Sequence, residues 1–324
     1  MKSFESFRER LVQINEITFD ELALEAFRFQ ATSNAVYARY LGHLGVDIGA
    51  VNHWPQIPFL PIRFFKSHHV QSGDWMPQTV YRSSGTTQTG HSRHAIDDVS
   101  FYLRHATGIF QSGMHDLSGA HLIAVLPGYT ERPDSSLVAM VDHFIKLTGS
   151  PHSGFCLHDR DALRRRLASA REAGGQVLLW GVTFALLDLI ENGVDLSGVL
   201  VMETGGMKGR RKEIIRAELH ELLMNAGPAG VCSEYGMTEL LSQAYSINGS
   251  VFHPPPSMRV VFREANDPFR WTDGHGVINV IDLANIHSCC FIETEDLGRA
   301  VDGGFEVLGR LDQSDLRGCN LMVS

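Results

Sequence analysis

Apolar positions recur every three or four residues at the start of the chain: Phe4, Phe7, Leu11 and Ile14 form one stripe, and Leu22, Leu24, Phe27, Phe29, Val36 and Leu41 form a second between Phe19 and Leu44. This spacing predicts helices over residues 1–50. The stretch from Trp54 to Pro61 ends the pattern, because Pro55, Pro58 and Pro61 deny a helix its donors, and it reads as a rigid connector. Residues 62–70, with Phe64-Phe65-Lys66, lead on to a polar stretch. From His121 short apolar runs alternate with helical stripes. Strands are expected over 121–126, 176–180, 199–202 and 229–232, and helices over 135–147, 159–173 and 183–192. A further helix carries Ile215, Leu219, Leu222 and Leu223 on one face. Asp159 and Thr183 stand where N-caps belong, and Gly174 and Gly193 where helices stop. Strands that alternate with helices imply a largely parallel sheet that holds its ligands at the carboxyl ends of its strands. Beyond Pro254-Pro255-Pro256 strands dominate, over 258–263, 277–282, 289–293 and 305–308. The pattern thus divides into an N-terminal helical segment (1–54), an α/β core (55–250) and a β-rich subdomain with a C-terminal tail (251–324).

Composition narrows the functional classes. The 324 residues are 44% hydrophobic and 20% charged, with a formal net charge of −9. Surfaces that condense on nucleic acid or anionic lipid need a concentrated excess of Lys and Arg, so neither partner is expected. The N-terminus mixes both signs of charge and does not read as a signal peptide. The best apolar stretch, 177–190, is too short to span a bilayer, and a cytoplasmic location is the expectation. Cys156, Cys232, Cys289, Cys290 and Cys319 contain no Cys-x-x-Cys pair, so neither a disulfide framework nor a zinc site is indicated.

Candidate chemistry begins at Tyr81-Arg82-Ser83-Ser84-Gly85-Thr86-Thr87-Gln88-Thr89-Gly90. Glycine lets backbone N–H groups converge on an anion and the hydroxyls add donors, which suits phosphate; a polar hairpin turn has the same composition. Residues 91–96 read as a return strand before a helix over 99–114. A strand-loop-strand without lysine excludes the ATPase-type phosphate loop, which opens a helix with Gly-Lys-Ser/Thr. Glu203-Thr204-Gly205-Gly206-Met207-Lys208-Gly209-Arg210-Arg211 joins a strand to a helix. Its glycines can admit a flat ring, while its cations either face phosphates or are simply solvated. Ser233-Glu234-Tyr235-Gly236-Met237-Thr238-Glu239 sets an aromatic ring, a hydroxyl and a carboxylate close together. Thr294-Glu295-Asp296 and Gly309-Arg310-Leu311-Asp312 fall between and after the late strands.

The order of four segments, Ser83 to Thr87, Tyr235 to Glu239, Thr294 to Asp296 and Gly309 to Asp312, resembles the acyl- and aryl-adenylate-forming superfamily of acyl-CoA synthetases, nonribosomal adenylation domains and firefly luciferase. Within it the chain is most similar to the acyl-protein synthetase family of bacterial bioluminescence, with phenylacetate-CoA ligases as nearer cousins. The likeness runs from about Pro55 to the end and includes Leu126 to Arg132, Trp180-Gly181-Val182-Thr183 and Arg317-Gly318-Cys319. It implies an α/β fold: a large N-terminal domain of mixed and parallel sheets flanked by helices, with a small β subdomain and without the superfamily's mobile C-terminal domain.

The resemblance also implies ATP and Mg²⁺ as cofactors. By this likeness Ser83, Ser84, Gly85, Thr86 and Thr87 hold the β- and γ-phosphates. Gly205 and Gly206 lie against adenine, with Tyr235 of the Tyr235-Gly236 pair on its other face. Thr238 meets the α-phosphate, Glu239 the Mg²⁺, Asp296 the ribose hydroxyls, and Arg310 the ribose or phosphate, with an ion pair to Asp312 or Asp315 as the structural alternative. Arg93 stands in for the family's loop lysine, and Lys208, Arg210 or Arg211, or a partner subunit, for the catalytic lysine of the missing domain. The implied activity is an AMP-forming acid–thiol ligase that activates a fatty or aryl acid. Its acyl acceptor is Cys319, a partner reductase or transferase, or CoA; Cys319 also reads as an inert residue near the terminus. The rivals are an acid:CoA ligase and a nucleotide-binding module without chemistry. Cys289 and Cys290 read as packing residues, and 180–187 either lines an acyl pocket or packs the core.

Overall fold

A computed structural model describes residues 4–84, 90–128, 130–205, 216–267 and 269–311. The N-terminal stripes form α1 (Phe4–Val12), α2 (Glu16–Ser33) and α3 (Ala35–His43). Asn15 starts α2 by accepting from the Ile17 and Thr18 amides at 3.0 and 3.1 Å. Asn34 divides α2 from α3 and caps the latter through the Val36 and Tyr37 amides. These helices do not stand apart from the C-terminal strands. Phe27 and Tyr37 pack on Phe291, with ring centroids 6.3 and 6.4 Å away.

The proline-rich connector contains a strand, β1 (Leu60–Pro61), followed by α4 (Phe64–Ser67). The expected hairpin is present as β2 (Thr79–Arg82) and β3 (Arg93–Ile96), paired antiparallel with Tyr81 opposite His94 and Arg82 opposite Arg93. Next comes α5 (Val99–Gly113), capped by Asp98. The α/β region runs β4 (His121–Val125), α6 (Ser136–Thr148), β5 (Gly154–Phe155), α7 (Arg160–Ala173), β6 (Val177–Gly181), α8 (Thr183–Glu191), β7 (Val199–Thr204), α9 (Arg216–Met224), β8 (Gly230–Tyr235) and β9 (Ala244–Ile247). Its sheet has the order β5-β4-β6-β7-β8-β9 and is parallel except for β9. β4, β6 and β8 are buried along their length, as strands covered on both faces must be. Trp180 is fully buried among Phe110, Phe144 and Tyr245, which favours core packing at this position.

The second sheet contains β10 (Val251–Phe252), β11 (Met258–Arg263), β12 (His275–Asp282), β13 (Phe291–Val301) and β14 (Gly304–Arg310), in the order β10-β14-β13-β12-β11. β1 joins it in parallel on β13. Gly276 is required here: at φ 152° its Cα lies so close to β11 that an added Cβ would be 2.1 Å from the Arg263 carbonyl.

Several expectations need correction. β8 continues to Tyr235, so Ser233, Glu234 and Tyr235 lie inside the strand because β7 and β9 pair with it that far. β13 runs through Thr294, Glu295 and Asp296, which are therefore not between strands, because β14 extends the ladder to Asp296 opposite Arg310. Thr183 is not the N-cap of α8. Val182 holds that position, and the Thr183 hydroxyl donates to the Glu203 carboxylate instead. Leu222 is 40% exposed, whereas Leu219 and Leu223 are buried. The short strands β1, β5, β9 and β10 left no periodic trace. The four described cysteines, Cys156, Cys232, Cys289 and Cys290, are buried free thiols. Among the described residues no helix is long and apolar enough to cross a membrane.

Candidate functional site

Strand pairing places Asp296 opposite Arg310, and the end of β8 brings Tyr235 to the same point. Tyr235 Oη donates to Asp296 Oδ2 at 3.0 Å. Arg310 Nε lies 3.9 Å from Asp296 Oδ1, and its terminal nitrogen 3.5 Å from Glu295 Oε2. Burial pushes the Asp296 carboxyl up, while the Arg310 guanidinium and the Tyr235 hydroxyl pull it back. The Tyr235 phenol is raised well above its ordinary value, first by burial and then by Asp296. Phe252 and Phe305 wall the Tyr235 ring, with centroids 5.8 and 5.3 Å away. Arg310 is 67% exposed, so its charge remains available to a ligand beside the half-buried carboxylate.

A second cation approaches from α9. The Arg216 guanidinium lies 4.5 Å over the Phe252 ring, and its Nε is 4.0 Å from Glu203 Oε2. Burial lowers its pKa, against the charges of Glu203 and Asp296.

The turn after β8 is held by side chains from distant parts of the chain. His94 on β3 donates through Nδ1 to the Thr238 carbonyl at 2.7 Å, which leaves Nε2 to accept from the Ser288 hydroxyl at 2.8 Å. Burial lowers the His94 pKa to about 4, so the ring is neutral, as this bonding requires. Asn285 donates to the Glu239 carbonyl at 2.8 Å, and Asp282 accepts from the Leu241 and Ser242 amides at 2.8 and 2.9 Å. The segment 285–290 is in turn tied to the N-terminal helices. Gln30 Nε2 donates to the Asn285 and Ile286 carbonyls at 3.0 Å, and Asn34 Nδ2 to Ser288 at 2.8 Å.

Glu239 is buried, and burial raises its carboxyl against a hydrogen bond from Ser92 and the charges of Arg310 and Lys66. Among the described residues no group of three or more His, Cys, Asp or Glu could form a protein-only metal cage. Mg²⁺ needs less, since it is commonly held by one or two carboxylates together with substrate phosphates and water. A single hard carboxylate beside a hydroxyl fits that kind of site.

Of the other sequence candidates, Ser84 and Gly205 are exposed, at the ends of β2 and β7, and no atom of the described residues lies within 4 Å of a Cβ built on Gly205. The Ser83 hydroxyl accepts from the Ser92 amide at 3.0 Å, which closes the hairpin. Gly236 is exposed at the end of β8, and Arg93 is exposed on β3. Gly85, Thr86, Thr87, Gly206, Lys208, Arg210, Arg211 and Cys319 lie outside the described residues, as do Asp312 and Asp315. Sequence reasoning missed the parts played by Ser92, His94, Lys66 and Arg216. Only the Phe64-Phe65-Lys66 run carried a visible signal, a cation directly after two aromatic residues.

No protein-family model matches the sequence, and no curated protein matches it. Among solved structures, an open conformation of 2-hydroxyisobutyryl-CoA ligase in complex with 2-HIB-AMP and CoA aligns over 90% of this chain and 74% of its own, at 12% identity and a TM-score of 0.67. The fold is that of the large domain of adenylate-forming ligases. The amide bond synthetase McbA from Marinactinospora thermotolerans aligns over 72% of this chain and 49% of its own, at 17% identity and a TM-score of 0.51. E. coli MenE with a bound OSB-AMS analogue aligns over 74% of this chain and 50% of its own, at 16% identity and a TM-score of 0.46. The chain spans about half the length of MenE and McbA. Within this fold the Tyr235, Asp296 and Arg310 constellation lies where β8 meets the second sheet.

Proposed function

We propose that the protein joins a carboxylic acid to AMP at the expense of ATP and passes the acyl group to a thiol. The observation that carries this reading is the meeting of Tyr235, Asp296 and Arg310, brought together from separate parts of the chain by β8 and the β13–β14 ladder. A carboxylate is a poor electrophile, because its charge repels nucleophiles and oxide leaves badly. Attack of its oxygen on the α-phosphorus forms a new P–O bond, breaks the bond to the β-phosphate, and releases pyrophosphate. Asp296 accepts the two ribose hydroxyls. With Tyr235 already donating to one of its oxygens, its orientation is set before the nucleotide binds. Arg310, close to that carboxylate and exposed, offsets charge that develops on the phosphates. Thr238, whose carbonyl is pinned by His94, presents its hydroxyl to the α-phosphate, and Glu239 would hold Mg²⁺. When bound, Mg²⁺ supplies charge neutralisation on the leaving phosphates. Ser84 with Gly85, Thr86 and Thr87 would grip the pyrophosphate, Gly205 and Gly206 would face adenine beside Tyr235-Gly236, and Lys208 or Arg210 would supply further positive charge.

The thiolate then attacks the acyl carbonyl and AMP leaves as the thioester forms; the acceptor in this reading is Cys319, a partner protein or CoA, and the acid is a fatty or aryl acid. Acid-dependent exchange of labelled pyrophosphate into ATP tests the first step. Exchange is expected with at least one acid of an acyl and aryl panel, and none across the panel refutes the reading. Labelled acyl group that stays on denatured protein, is released by hydroxylamine and is lost in Cys319→Ser identifies the cysteine as acceptor; labelling unchanged in that variant excludes it.

A further inference from the structure

Successive residues of a strand face opposite ways, so Glu234 and Tyr235 part at the end of β8. Tyr235 turns to Asp296, whereas Glu234 shares its face with its cross-strand partner Tyr245 on β9, and Trp180 packs against Tyr245 from within the sheet. Glu234, Gln243 and Tyr245 are 7%, 4% and 4% exposed. Each nevertheless keeps a buried oxygen with no hydrogen-bond partner among the described residues: Glu234 Oε2, Gln243 Oε1 and Tyr245 Oη. Glu234 and Tyr245 lie side by side across the β8–β9 ladder, and Gln243 comes up to Glu234 beside Gly236. A Cβ on Gly236 would lie 2.5 Å from Glu234 Oε1 and 3.4 Å from Gln243 Cγ, so the two side chains flank the bare Cα of that residue. Gly236 itself is exposed and opens the turn that leads to Thr238 and Glu239, the residues of the proposed reaction site.

Buried polar atoms are nearly always matched, and an unpaired set in which the Gln243 oxygen accepts while the Tyr245 phenol can both accept and donate is complementary to a ligand group that does both. We propose that Glu234, Gln243 and Tyr245 receive a hydroxyl or amino group on the body of the acid substrate, so that the enzyme prefers a donor-bearing acid to a plain hydrocarbon acid of the same shape. This rests on the adenylation reading above. Nucleotide recognition falls to the other face of β8, with Asp296 and Arg310, which leaves this face to the acid. A pocket that buries oxygens for a donor discriminates against the analogue that lacks it, because that analogue leaves them unmatched. Ordered water would satisfy the same oxygens without such selectivity.

The test is acid-dependent pyrophosphate exchange by the full chain with matched acids: benzoate against 3-hydroxy-, 4-hydroxy- and 3-aminobenzoate, and octanoate against its terminal hydroxy and amino analogues. The expected result is a kcat/KM about 10- to 100-fold higher for at least one donor-bearing acid than for its plain partner. That ratio is expected to fall toward one in Glu234→Leu and in Tyr245→Phe. Tyr245→Phe removes a single unpaired oxygen, so it keeps the test valid if Glu234→Leu does not fold. Ratios near one for every pair, or a wild-type ratio unchanged in Tyr245→Phe, overturn the assignment while leaving adenylation standing. Absence of exchange with every acid, plain ones included, overturns both.

Discussion

Replacing Glu234 by Gln removes a buried proton-binding group without changing its shape, and its effect on stability is set by pH. The Glu234 pKa is raised from 4.5 to about 7, first by burial and then by the charge of Glu203, against a hydrogen bond from Thr204. The folded chain therefore holds this proton more tightly than the unfolded chain does. The resulting stabilisation is fully present below the unfolded pKa and is lost as pH rises through the folded one. At about 1.4 kcal/mol per pKa unit, the loss across that window is about 3 kcal/mol. Gln does not titrate, so Glu234→Gln is expected to gain about 3 kcal/mol relative to wild type between about pH 4.5 and about pH 8. Urea unfolding of both proteins across that range measures the difference, and titrations common to the two cancel in it. A difference that stays constant with pH would show that Glu234 ionises normally in the folded chain and would refute the argument.

The remaining predictions concern the proposed nucleotide side of β8 and two histidines, His94, which pins the turn, and His220. Asp296→Asn is expected to weaken ATP binding about 10- to 100-fold in titration calorimetry while the fold is kept, since a neutral amide loses the charge-assisted bonds to the ribose. Tyr235→Phe, which removes only the orienting hydroxyl, is expected to cost less, and unchanged ATP affinity in Asp296→Asn would exclude this carboxylate from nucleotide binding. Burial lowers the pKa of both His94 and His220 from 6.5 to about 4, which makes neutral imidazole the form that the fold accepts. Their contribution to stability is present above 6.5 and lost as pH falls toward 4. The urea midpoint is expected to drop over that interval with a shallower slope in His94→Gln, and an equal slope in that variant would count against His94.

Local pattern was enough to read the order of the longer helices and strands, the hairpin that carries Ser83 and Ser84, and the α/β class. These follow from side-chain period and from caps such as Asp159, which bonds the Ala162 amide at 2.8 Å within its own turn. The residues of the candidate site were legible as types: a carboxylate at 296, an arginine at 310 and a phenol at 235. What they touch was not legible, because contact depends on pairing register, and register joins segments that period alone treats separately. The β13–β14 ladder, not the spacing of the two motifs, sets Asp296 opposite Arg310. β8 reaches Tyr235 because β7 and β9 extend it there. The N-terminal helices, read from their stripes as a separate segment, reach the turn after β8 through Gln30, Asn34 and the 285–290 segment. Thr183, placed at the start of a helix like any capping threonine, faces a buried carboxylate on the neighbouring strand and bonds to it instead. Burial did the rest: it raised the Glu234 pKa and left its Oε2 without a hydrogen-bond partner among the described residues, and the strand sequence carries neither property.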